Sequence, residues 1–394
     1  MDDAVSSETI RPATIGGRFD PLRNSLNFLR LILATTVIAS HAIDLGLFGR
    51  DWIGTKTTIG TVAVYGFFAI SGYLIASSAE RNTFGRYLWQ RFLRIFPAFW
   101  VCLIVTAFVL AFMGWEAQLH QFHLHGTVST YLHAPNGPFG FVVHNWFLKL
   151  DQTLIIRTVW NGSLWTLYFE FICYLVVGAL ALIGVLRKPV LVIAIAAAVW
   201  IADAVITSVP SLNAEFAWKH NYIALHLLIL IPLFLTGSLI HLYRDRIPDN
   251  PWLAVAGTAV FVGSLWIPIG APTPGDTLTS TSLLAPAIAY PMIWLGMHLP
   301  FHRIGATNDY SYGMYIYAYP VQVLLGIWGA AQWGYVPYLF LGILGTIPLA
   351  VASWWLVERP ALRLKKWMPG RSTSRKEAPI PTPADVQPAP MDAG

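Results

Sequence analysis

Charge is scarce in this sequence. Only 11% of its 394 residues are Asp, Glu, Lys or Arg, whereas 56% are hydrophobic and 17 are Trp, a balance too apolar for a water-soluble domain. Cysteine is scarcer still. Cys102 and Cys173 both fall in apolar runs, which argues against a disulfide-stapled scaffold or a thiolate metal site and leaves two small buried hydrophobes. The net charge of +5 reflects where basic residues sit relative to the apolar runs, so no nucleic-acid partner is expected. There is no convincing internal repeat. No cleavable leader is expected either, because the polar residues ahead of the first apolar run include Asp2, Asp3 and Glu8 and are too many and too acidic for a signal n-region.

What the sequence has in abundance is apolar runs long enough to cross a bilayer. They lie at about 26–45, 59–79, 92–113, 162–185, 189–208, 222–242, 252–270, 280–299, 311–331 and 335–357. The expected fold is all-α: a polytopic membrane protein, a bundle of about ten transmembrane helices with no soluble domain. Residues 1–23 form a polar cytoplasmic segment, 24–366 the membrane domain, and 367–394 a Pro/Ala-rich tail that cannot build a core and is expected to be disordered. With both termini inside, the outer connections hold only Arg50, Lys56, Lys149, Arg157 and Lys219. The inner ones collect nineteen basic residues, including Arg81, Arg86, Arg91, Arg94 and seven from Arg359 to Lys376. That asymmetry predicts cytoplasmic termini in the cytoplasmic (inner) membrane, with the lipid bilayer as the surrounding partner.

The first run, LNFLRLILATTVIASHAIDL, encloses Arg30 and His41. A charged side chain at mid-helix in a bilayer costs about 2.5–3.5 kcal/mol, so Arg30 requires a partner, a ligand or a watery cavity. Eleven residues separate the two by about 16 Å along the axis, which places one towards each face. The third run opens RYLWQRFLRIFPAFW, with Arg91 and Arg94 on one helical face just after Arg86. Together with Arg30 they can line a cationic entry for a polyanion from the cytosol, although positive-inside anchoring explains arginines at such a position equally simply. In the fourth run Glu170 lies about 12 Å below the outer surface, a depth that His41 reaches from the other direction. An imidazole and a carboxylate at matched depth suit general base catalysis, and a structural hydrogen bond is the plainer alternative. Asp44, one turn from His41, is a second candidate acid.

Other features read more simply. His120, His123 and His125 lack any carboxylate or thiol spacing, so no metal is expected. Asp203 and His226 are expected at solvated helix ends. Gly66, Ala69, Ser71 and Gly72 suit close helix packing. The tyrosines of SYGMYIYAYP need partners for their deeper hydroxyls. The long connection 114–161, rich in Trp and Phe, suits a headgroup region over the outer mouth of a site.

Several segments acquire a common meaning together: Arg30 and His41 at their spacing, FFAISGYLI, RFLRIFPAFW, SLWTLYFE, SYGMYIYAYP and the closing LVERP. Over roughly residues 24–366 they closely resemble acyltransferase family 3, integral-membrane O-acyltransferases of surface polysaccharides, lipo-oligosaccharides and antibiotics. The resemblance implies transfer of an acyl group, usually acetyl, from cytosolic acyl-CoA to a hydroxyl of an exported or cell-surface glycan or another acceptor. Acyl-CoA (acetyl-CoA) enters as donor substrate, with no cofactor bound permanently. By that likeness His41 is catalytic, Glu170 belongs to the acidic motif near the acceptor, and Arg30, Arg91 and Arg94 bind acyl-CoA; Asp44, Ser71, Trp165 and Tyr315 are supporting candidates. The alternative is a transporter or flippase of glycan precursors that uses Arg30, His41 and Glu170 as an ion path.

Overall fold

In a computed structural model, each expected apolar run contains a helix. The structure describes residues 13–46, 48–49, 52–53, 57–123, 125–148, 154–156, 158–209, 222–266 and 284–367. The long helices are α1 (Leu26–Leu45), α2 (Ile59–Arg81), α3 (Phe84–Gln121), α4 (Trp165–Leu182), α5 (Pro189–Ser208), α6 (Tyr222–Leu242), α7 (Pro251–Ser264), α8 (Ala285–His298), α9 (Ser311–Ile327) and α10 (Tyr335–Lys366). The two short hairpins, Trp52–Ile53 with Thr57–Thr58 and Leu154–Ile155 with Thr158–Val159, lie in connections. Residues 1–12, the tail from residue 368 with its expected disorder, and the basic residues Arg50, Lys56, Lys149, Arg157 and Lys219 of the expected outer connections lie outside the described residues.

Among the described residues six helices, α1 to α5 and α10, are long and apolar enough to cross a membrane. The protein is a helical membrane protein. Its lipid-facing surface shows the same thing from outside, since Trp252, Val255, Ile201, Phe340 and Leu356 are exposed on helix sides that water would not tolerate in such number. The expectation of ten spans is met only in part. Helices α7 and α8 have 14 residues each, about 21 Å against a hydrocarbon layer of about 30 Å, and α9 has 17. Helix α8 starts late because Pro286 suits only its first turn, and Gly329 at φ 79° stops the chain from extending α9. Residues 267–283, including Pro268, lie outside the described residues.

The third helix departs from expectation in the opposite sense. It spans 38 residues, about 57 Å, and so projects well past one membrane face. A π turn at Thr106–Leu110 interrupts it, and the Tyr131 hydroxyl donates to the Ala107 carbonyl within that turn. The connection after α3 folds down onto the bundle rather than lying flat: Trp146 stacks on Trp100 at 4.9 Å and accepts its indole N–H through its own carbonyl.

Helix α1 is the centre of the arrangement, packed against α2, α8, α9 and α10, while α5 and α7 sit at the margin on α6 and α8. Helices α2 and α6 cross with their backbones nearly touching. A Cβ on Gly72 would lie 1.9 Å from the Phe234 carbonyl oxygen, and one on Gly237 2.1 Å from that of Ala69, so the small-residue stretch packs as its composition suggests. Cys102 and Cys173 are buried free thiols.

Candidate active site

Two helices carry arginines to one end of the bundle, the end expected to face the cytosol. Arg30 stands one turn into α1, and Arg91 and Arg94 on the inner part of α3. Between them comes Asp309, from the loop ahead of α9. Its Oδ2 accepts from Arg30 Nη1 at 3.3 Å and from Arg94 Nη2, while its Oδ1 accepts from the backbone N–H and the hydroxyl of Ser311, so every lone-pair direction is used. Burial raises the Asp309 carboxyl, but the Arg94 and Arg30 guanidiniums and the Ser311 donors outweigh it and hold the group well below the usual carboxylate range. The positive end of α9 acts in the same direction.

A second carboxylate reaches Arg94 from α10. There a π turn at Trp354–Glu358 precedes Pro360, whose ring lacks the N–H and the room for an ordinary turn. The turn swings Glu358 inward to 3.8 Å from Arg94 Nη1, and the Ser353 hydroxyl donates to its other oxygen. Trp354 Nε1 donates to Asn308, tying this turn to the Asp309 loop. Arg91 differs from its neighbours. Among the described residues it has no carboxylate within ion-pair distance; its guanidinium lies 5.8 Å from the Tyr174 ring and 6.0 Å from that of Tyr87. Arg86 stays exposed and outside this group.

These residues wall a cavity of about 260 Å³ that Arg30, Arg91, Arg94, Asp309, Ser71 and Lys365 help to line. Arg30 also lines a smaller cavity of about 30 Å³ with Glu170, Phe67, Thr166, Tyr312 and Tyr315, one step deeper. From there hydrogen bonds continue outward. The Tyr315 and Thr166 hydroxyls lie 2.6 Å apart, so one donates to the other; each is also within hydrogen-bond distance of the Ser163 carbonyl, and the Ser163 hydroxyl lies 3.3 Å from His41 Nε2. The edge of Tyr319 completes the surround of His41, with ring centroids 5.0 Å apart.

The structure corrects the expected pairing of His41 with Glu170. The imidazole meets Ser163 at the very start of the fourth helical segment, and Glu170 follows seven residues later, about 10 Å further inward. A depth of about 12 Å for Glu170 requires the chain to enter the membrane at the start of the fourth run, whereas the connection before it enters the bundle and brings Asn161 onto the Ile316 carbonyl of α9. Glu170 instead accepts from Ser71 at 3.1 Å and from the Tyr174 hydroxyl, on the arginine side. Asp44 is exposed at the end of α1, three residues beyond His41. Asp203 and His226 are buried rather than solvated, the His226 ring lying between Trp165 and Phe169. Trp165 thus supports the α4–α6 contact, and Tyr315 and Ser71 sit on the line between the two ends. His120, His123 and His125 are exposed, and among the described residues no cluster of His, Cys, Asp and Glu is placed to hold a metal ion.

Asp309, Glu358, Ser163 and Lys365 were not singled out in the sequence. A usable signal existed for the first two, since buried arginines demand counter-ions, and Asp309 and Glu358 are the carboxylates inside the NDYSYGMY and LVERP segments.

A family profile described as an acyltransferase domain matches residues 23–355. The chain is 28% identical to "O-acetyl transferase" of Shigella phage Sf6 over 85% of its length and 95% of that protein. It is 27% identical to "Nodulation protein 10" of Rhizobium leguminosarum bv. viciae over 89% and 96% respectively. A shorter match, 27% identical over 32% of the chain and 36% of the relative, is to "Acyltransferase MdmB" of Streptomyces mycarofaciens. No solved structure matches. With a helical membrane bundle and a family match over most of its length, the chain belongs to the acyltransferase domain family, acyltransferase family 3, and is a membrane acyltransferase.

Proposed function

We propose that the protein moves an acyl group, acetyl first among candidates, from cytosolic acyl-CoA to a hydroxyl of an exported or cell-surface glycan. The observation that carries this reading is the adjacency of two cavities that share Arg30 in their linings. Arg30 lines both, and from the deeper one hydrogen-bonded groups lead to His41. The roughly 16 Å between Arg30 and His41 is a distance that an extended pantetheine arm spans, so phosphates held among the arginines present a thioester near the imidazole.

The chemistry follows from that placement. His41 takes the proton of the acceptor hydroxyl as its oxygen attacks the thioester carbonyl. The tetrahedral intermediate collapses by breaking the C–S bond, and the imidazolium returns its proton to the departing thiolate. Ser163 fixes the ring orientation, and Glu170, held by Ser71 and Tyr174, shapes the passage that the arm occupies.

The same reading includes ten spans, a membrane domain over 24–366 with polar flanks 1–23 and 367–394, cytoplasmic termini and an inner-membrane location. It is supported by ten helices in the expected order and by basic residues gathered at the arginine end. Mass spectrometry of surface glycans from cells with and without the gene tests it: loss of an acyl-mass increment upholds the reading, and identical glycan spectra overturn the glycan acceptor.

A further inference from the structure

Not all cations around the inner cavity are equally free. Arg30 and Arg94 are engaged by Asp309, and Arg94 also by Glu358. Among the described residues, Arg91 and Lys365 have neither an ion-pair nor a hydrogen-bond partner. Lys365 belongs to none of the motifs discussed so far. Its placement is nonetheless fixed, because Trp89 Nε1 donates to the Leu364 carbonyl at 3.0 Å and the Trp367 ring meets that of Trp89 edge-on at 5.9 Å. With the backbone pinned to α3 on both sides, Leu364 and Lys366 are exposed while Lys365 turns into the cavity lining.

Three guanidiniums and one ammonium facing one space, against the single lining carboxylate Asp309, repel one another unless a polyanion enters. The order of groups along CoA settles which part lies where. If the thioester points towards His41, the adenosine with its 3′-phosphate is the last part to enter and stays at the mouth, where α10 ends. A phosphomonoester carries about −1.5 to −2 at neutral pH, and a compact ammonium suits it as a point charge. We propose that Lys365 binds the 3′-phosphate of the donor nucleotide and makes the cavity selective for CoA over donors lacking that phosphate. This rests on the acyl-CoA reading above.

Affinities of the purified full-length protein for CoA and 3′-dephospho-CoA, measured in lipid-free detergent, provide the test. The wild type is expected to prefer CoA by about tenfold or more. Lys365→Ala should lose that preference, with dephospho-CoA affinity unchanged; Lys366→Ala should keep it. Lys365→Gln, which retains length without charge, repeats the comparison if the alanine variant melts early. A folded Lys365 variant that still prefers CoA overturns the assignment, as it would if Lys365 served a lipid phosphate instead. Equal wild-type affinity for the two nucleotides also overturns it while leaving the CoA donor standing. Failure of the wild type to bind either one removes the donor reading and this assignment with it.

Discussion

His41 Nε2 lies 3.3 Å from the hydroxyl of Ser163, so the imidazole of α1 is held by the short turn that leads into α4. This contact replaces the carboxylate that a base of this kind often uses, and it makes ring orientation depend on a neutral partner. Ser163→Ala should therefore lower the acyl-transfer rate by about five- to tenfold, the effect of about 1 kcal/mol, with donor affinity unchanged. Steady-state kinetics on purified protein check this, and an unaltered rate would mean that the imidazole is oriented by its packing alone.

Glu170 gives a contrasting expectation. It touches Ser71 and Tyr174 rather than His41, so Glu170→Gln should alter donor affinity and rate while the pH profile of transfer keeps the wild-type midpoint. A displaced midpoint would couple Glu170 to the imidazole after all.

Gly162 is required by close approach. A Cβ there would lie 2.7 Å from the Tyr319 ring, whose edge packs on His41. Gly162→Ala should depress transfer without changing CoA binding, since the displaced ring lies at the outer end of the passage and the arginines at the inner end.

Asp309 anchors the inner end. Breaking a buried pair by removing one partner costs about 3–5 kcal/mol, and here Arg30 loses its carboxylate while Arg94 keeps only Glu358, so Asp309→Asn should lower the melting temperature measurably. The sign of the pH effect follows from the direction of the shift. A carboxyl whose folded pKa is depressed contributes stability that is complete above its unfolded value of about 3.9 and lost only as pH falls below it. Between pH 5 and 8 the difference in melting temperature between wild type and Asp309→Asn should stay constant; a difference that vanishes towards pH 5 would contradict the pairing.

Much of this was legible in the sequence, for identifiable reasons. Helices of twenty apolar residues announce themselves, and Arg30, Arg91 and Arg94 converge as the cost of burying charge requires. Depth was read less well. Apolar periodicity does not show where the chain enters the membrane ahead of α4, and the preceding connection packs into the bundle and brings Ser163 to the level of His41. Asp309 and Glu358 are not legible from periodicity, because they lie beyond the ends of the apolar runs or at a π turn, where helical periodicity fails. Lys365 was hidden among neighbouring basic residues that only tertiary contacts distinguish.

The central claim is that His41 is the base of the transfer. General base catalysis contributes about 10²–10⁴-fold, so His41→Ala, assayed as purified protein with acetyl-CoA and a glycan acceptor, should lose at least a hundredfold in rate while binding CoA and melting as the wild type does. Near-normal turnover by a folded His41→Ala protein would contradict the account.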